Sequence, residues 1–148
     1  MRDTAERNAL IDEMLGTAKT IAVVGMSNKP DRASYNIGKY LARNGYRVVP
    51  VNPALSEIAV DGQVLTSYPT LEDAVGAVAA EGGKIDLVDV FRASEFVAGI
   101  VEDVIRLHIP YVWLQDGVID NEAVAKAEAA GVKCIQNDCI FREHAARR

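Results

Sequence analysis

Short, continuously apolar runs alternate along this chain with stretches of helical period, and that alternation admits few folds. Thr20-Ile-Ala-Val-Val-Gly25 reads as a strand buried on both faces and closed by a glycine turn. Arg47-Val-Val-Pro-Val51 is a second, short strand whose proline interrupts the hydrogen-bonding ladder. Ile85–Phe91, Tyr111–Gln115 and Val132–Gln136 complete five. Between them lie a helix near Tyr35–Asn44, a helix capped by Thr70 and running to about Ala80, one starting at Ser94, and one capped by Asp120 that ends at Gly131. Before the first strand, residues 4–18 place Leu10, Ile11, Met14, Leu15 and Ala18 on one face of an additional N-terminal helix.

The expected fold class is therefore α/β: a Rossmann-like, doubly wound parallel sheet of five strands with an extra helix at the N-terminus. Right-handed crossovers leave few topologies, and the order 3-2-1-4-5 is the expectation. The chain has 148 residues and shows no linker, repeat or low-complexity tract, so residues 1–148 read as a single domain. Apolar residues at 49% and charged residues at 25% rule out a disordered chain. The net charge of −5 argues against nucleic acid as a partner. No signal segment or membrane span is visible, which makes the expected location cytoplasmic.

Ligands of such sheets bind in the crevice beyond the carboxyl ends of the strands. The first of these loops, Gly25 to Ser34, carries hydroxyls at Ser27 and Ser34 and cations at Lys29 and Arg32, and it feeds a helix N-terminus. That is an anion-binding arrangement. Residues 25–47 hold five cations against one acid, a local +4 in a chain whose remainder is −9. Lys39 and Arg43, spaced i, i+4, and Arg47 read as a basic surface rather than as ligand contacts. The loop lacks both the G-x-G-x-x-G dinucleotide pattern and the P-loop pattern, and Asn52, then Pro53, stand where a nicotinamide enzyme wants an acid for the ribose. A small NAD(P)-dependent oxidoreductase is accordingly an alternative, disfavoured reading. Arg92 follows the third strand with a geometry suited to phosphate oxygens, beside Phe91. Gln115 and Gly117 end the fourth.

Catalytic groups are few. His108 and His144 read as surface residues, because no nucleophile or orienting acid accompanies them. Asp86 and Asp89 alternate with apolar residues, which suits an ion pair or a cap, with Asp89 also within reach of the crevice as a general base. Cys134 reads as a buried strand residue, and Cys139 as a thiol just past the fifth strand.

Together, Val24-Gly-Met-Ser27, Pro30-Asp-Arg-Ala-Ser34, Val49-Pro-Val-Asn-Pro53, Val88-Asp-Val-Phe-Arg92, Trp113-Leu-Gln-Asp-Gly117 and Asn137-Asp-Cys139 carry a resemblance. The chain, from about residue 16 to 144, resembles the small stand-alone CoA-binding domain family, which is similar in fold to the N-terminal CoA-binding domain of the succinyl-CoA synthetase alpha subunit. The resemblance implies coenzyme A or an acyl-CoA as ligand. It implies that Gly25, Ser27, Lys29, Arg32 and Ser34 hold the phosphates, with Met26 among the binding positions of that loop, and that Asn52 and Pro53 flank the adenosine. It implies that Phe91 and Arg92 line the nucleotide pocket, with Gln115 and Gly117 on the pantetheine side. Many relatives carry a basic residue before the final cysteine, where this chain has Asp138. No metal or catalytic residue is implied, and the expected role is a non-catalytic carrier, sensor or partner module. Other expectations are a protein partner or homo-oligomer, an interaction protein with a vestigial pocket as a further alternative, and a mixed disulfide between Cys139 and the CoA thiol as a redox role.

Overall fold

The computed structural model describes residues 2–148. Helix α1 (Thr4–Thr17) is capped by Asp3, whose carboxylate accepts the Glu6 N–H at 2.8 Å, and it buries Leu10, Ile11, Met14 and Leu15. Strand β1 (Thr20–Val24) is buried throughout. Then follow α2 (Ala33–Arg43), β2 (Arg47–Val51), a hairpin of β3 (Glu57–Val60) and β4 (Gln63–Thr66), and α3 (Leu71–Ala80). The second half alternates regularly: β5 (Leu87–Val90), a 3₁₀ turn (Ser94–Phe96), α4 (Val97–Arg106), β6 (Tyr111–Leu114), α5 (Asn121–Ala129), β7 (Lys133–Ile135) and α6 (Ile140–Ala145). Thr70 and Asp120 cap α3 and α5 through the N–H groups of Asp73 and Ala123. No helix among the described residues is long and apolar enough to cross a membrane.

The five parallel strands lie in the order β2-β1-β5-β6-β7. The expected five strands and doubly wound α/β class are present, but the expected order 3-2-1-4-5 is not. The third core strand, β5, pairs with β1 and not with β2. Helix placement explains the difference. Leu41 of α2 packs with α1 and α6 on one face of the sheet, whereas Leu71, Ala74 and Val78 of α3 pack with α4 and α5 on the other. A right-handed crossover on that second face carries the chain from β2 back past β1. The space beyond β2 is taken by the hairpin, anchored where the Tyr68 N–H donates to the Pro50 carbonyl at 3.0 Å.

The hairpin was not among the expected elements, although its signal is local. Asp61-Gly62 forms a two-residue turn with φ of 50° and 79°, the left-handed pair that a type I′ turn requires. Ile58 and Val60 point into the core, while Glu57 and Ala59 face outward. From outside, Arg43 clasps Asp61 through two hydrogen bonds of 2.6 and 2.8 Å, and Lys39 adds a contact at 3.8 Å. Arg47 pairs with Glu81 at 2.6 Å. These three cations of the basic stretch thus tie elements together at the surface.

Candidate functional site

The turn from β1 into α2 begins at Gly25, whose φ of +87° is a left-handed conformation open to glycine. Its missing Cβ also makes room: a carbon there would lie 3.1 Å from Arg92 Cδ and 3.1 Å from the Phe91 carbonyl oxygen. Arg92 therefore runs across the Gly25 backbone, between the loops that leave β1 and β5. The helices after these two strands go to opposite faces, so this is the switch point of the sheet. Beyond Gly25, the chain turns back on its own hydroxyls. The Ser27 N–H donates to Ser34 Oγ at 2.9 Å, and Ser27 Oγ accepts the Lys29 N–H at 3.0 Å.

Gly25, Ser27, Lys29, Arg32, Ser34 and Phe91 together line an open cleft of about 240 Å³. Helix α2 opens onto it with no side chain capping its first turn. Its leading N–H groups have no helical acceptor and favour negative charge. Lys29 and Arg32 are exposed, and among the described residues neither they nor Arg92 has an acidic partner. The Arg92 guanidinium instead sits 4.1 Å from the centroid of Phe96, an exposed ring. Phe96 is absent from the expected site residues; its one sequence signal is a spacing of four from Arg92.

Other expected residues serve the scaffold. Met26 is fully buried, and its methyl group packs where a Cβ on Gly38 of α2 would lie, at 2.5 Å. The Met26 side chain therefore holds α2 against the sheet and does not line the cleft. The Asn52 amide is already spent, its Nδ2 donating to the Met26 carbonyl at 3.0 Å and its Oδ1 accepting the Ala54 N–H at 2.9 Å. Asn52 thereby locks the first loop to the turn after β2, in which Pro53 is exposed. Gln115 is buried and accepts the Ile140 N–H at 3.2 Å. Gly117, with φ of +78°, is exposed on the far side of the crevice, its N–H held by Asn137 Oδ1 at 2.8 Å and its carbonyl facing Ser94 Oγ at 3.4 Å.

The acids near the crevice divide into two kinds. Asp138 accepts from Arg7 at 2.8 Å, from Arg142 at 2.9 Å and from the Cys139 N–H at 2.7 Å, so both its oxygens are partnered within the protein. Asp89 has no such company. It is fully buried between Val23 and Trp113 on the central strand, and neither carboxylate oxygen has a partner. Burial alone pushes its pKa well above the ordinary carboxylate range. Neither the ion pair nor the cap expected of it is present, and burial removes it from the crevice as a base. Asp86, by contrast, caps the start of β1 by accepting the Lys19 and Thr20 N–H groups at 2.9 and 3.0 Å.

Neither histidine lines the cleft. His144 Nδ1 bonds the Tyr40 hydroxyl at 2.7 Å, and burial lowers its pKa, while His108 lies beside Pro110 at the opposite end of the sheet. Cys134 is buried, which pushes its thiol up to about 12, and Cys139 is buried at the start of α6. A larger cavity of about 760 Å³ lies between α1, α5 and β7. The switch-point cleft is nevertheless the candidate site, because among the described residues it combines unpaired cations with a helix N-terminus.

Comparison with known proteins identifies the family and the fold. The sequence profile of a family described as CoA binding domain matches residues 19–145. An uncharacterized Bacillus subtilis (strain 168) protein, YneT, is 34% identical over 140 residues, covering 95% of this chain and 96% of its own. A hypothetical protein from Pyrococcus horikoshii OT3 superposes with a TM-score of 0.83 at 35% identity, over 99% of this chain and 98% of that one. A Thermus thermophilus protein gives 0.79 at 29% identity, over 94% and 97%.

Proposed function

The chain belongs to the CoA binding domain family, and we propose that it holds coenzyme A in the switch-point crevice as a non-catalytic module. One observation carries the reading. Lys29, Arg32 and Arg92 are left without acidic partners around a helix N-terminus, whereas Lys39, Arg43 and Arg47 of the same basic stretch are all paired. In a chain of net charge −5, unpaired cations at one strand end favour a polyanion there. Coenzyme A supplies three phosphate groups. Ser27, Lys29, Arg32 and the first turn of α2 are the groups to receive them, and the Arg92–Phe96 pair flanks them. The pantetheine arm, free or acylated, then runs toward Gly117 at the other side of the crevice. The role in this reading is that of a carrier, sensor or partner module.

A thermal-shift panel of CoA, acetyl-CoA, dephospho-CoA, NAD and NADP tests this. At 100 times its dissociation constant a ligand adds about 2.7 kcal/mol. In a domain of this size that raises Tm on the order of 5–10 °C. CoA is expected to give that shift, and dephospho-CoA a smaller one. A shift with NAD or NADP but none with CoA overturns the reading in favour of an oxidoreductase. No shift with any of the five favours an interaction protein with a vestigial pocket.

A further inference from the structure

The sheet ends at β7, which pairs with β6 and has no strand on its other side. An open edge of this kind offers unpaired N–H and C=O groups to another chain. Lys133 donates its N–H back to the Pro110 carbonyl at 3.0 Å, so the alternation of the strand turns the N–H and carbonyl of Cys134 outward. Side chains meet both. The Cys134 N–H faces Glu128 Oε1 at 3.4 Å, and the Cys134 carbonyl faces Arg2 Nη1 at 3.5 Å. Arg2 and Glu128 are themselves joined by two hydrogen bonds of 2.7 and 3.1 Å. The ion pair thus covers the edge as a neighbouring strand would, one group accepting and the other donating. Around it, the cavity of about 760 Å³ between α1, α5 and β7 leaves space for a further strand.

We propose that the β7 edge is an interface for a second copy of this chain, held shut by the Arg2–Glu128 pair. The edge is self-complementary. In an antiparallel pairing centred on Cys134, the same residue from each copy exchanges N–H and C=O with the other, the isologous arrangement a two-fold dimer requires. The Arg2 and Glu128 side chains are about a third exposed (31% and 30%), so water competes for them and the closed state is shallow.

The test is sedimentation velocity over a wide concentration range, combined with backbone amide exchange. Wild-type protein, Arg2→Gln, Glu128→Gln and the double variant are compared, with circular dichroism to show that each is folded. Neither residue is in the core, and either single substitution opens the edge if the other fails to fold. The variants are expected to self-associate with concentration, their mass rising from 16.0 kDa toward twice that value. Exchange of the Cys134 amide should slow on the order of tenfold as they do so. Variants that sediment as wild type at every concentration refute the proposal. So does association that leaves the Cys134 amide unprotected, because the contact then lies on another face. Wild-type protein whose Cys134 amide is already protected by concentration refutes the role of the ion pair.

Discussion

Replacing Asp89 by asparagine should stabilise the protein, and the gain should grow with pH. Asp89 lies on the central strand with no exposed surface, between Val23 and Trp113, and both oxygens lack a partner. Burial raises its pKa well above the ordinary 3.8, so the native state keeps the proton. The unfolded chain releases it in the usual carboxylate range. The native state therefore binds one proton more than the unfolded state above that range. Stability falls as pH rises, by about 1.4 kcal/mol per unit, until the native group itself ionises. At neutral pH, holding the proton therefore costs stability that the unfolded chain does not lose. Asparagine has nearly the same shape and does not titrate. Its amide is as short of partners as the protonated acid, so the desolvation of about 1–3 kcal/mol is common to both and largely cancels. Urea unfolding with a shared m value reads the difference. The two proteins should be close near about pH 4, and their stabilities should separate progressively between about pH 5 and about pH 7. Parallel stability curves across that window would refute the argument, since they would mean that Asp89 is ionised in the native state or finds a partner there.

Lys29→Ala and Arg32→Ala should each weaken CoA by roughly tenfold, about 1.4 kcal/mol, in isothermal titration while leaving Tm almost unchanged, because neither cation holds an ion pair in the protein; unchanged affinity in both moves the phosphates elsewhere. Gly25→Ala forces a side chain onto a φ of +87° and places its carbon 3.1 Å from Arg92 Cδ and the Phe91 carbonyl oxygen. A loss of about 1–2 kcal/mol is expected in denaturant melts, with weaker CoA binding alongside; wild-type values in both assays contradict the close approach. Gly38→Ala drives a carbon to 2.5 Å from the Met26 methyl and should cost about 1–3 kcal/mol despite the better helix propensity of alanine. In a double-mutant cycle with Met26→Ala, the combined loss should fall short of the sum of the two. Additive losses would separate the two sites.

The boundaries of the elements follow closely from local chemistry. Thr70 and Asp120 cap the helices they head, and β2 spans the residues its apolar run outlines. The first loop was legible as an anion site for the same reason: a turn glycine, two hydroxyls and two cations before a helix are neighbours in sequence. The hairpin signal is equally local, with Asp61-Gly62 between alternating apolar residues. Met26, Asn52 and Gln115 differ in kind. Each stands at a strand end, the position of a ligand contact, yet each is occupied by a partner far along the chain: Gly38, the Met26 carbonyl and Ile140. Nothing next to them in sequence reveals those partners. The pairing of Arg92 with Phe96 was likewise settled by the 3₁₀ turn that places the ring against the guanidinium.

By itself, then, the amino-acid sequence determined that this chain is a doubly wound α/β domain with its polar chemistry in the loops after the strands. Periodicity, caps and turn residues act over a few neighbours and need no tertiary information. The tertiary structure alone decided the strand order, the unpartnered burial of Asp89 and the covering of the β7 edge by Arg2 and Glu128. Strand order depends on which face of the sheet α3 packs against, and handedness then leaves a single route for the chain. Burial and edge contacts depend on residues brought together across more than a hundred positions, such as Arg2 and Glu128, by that route.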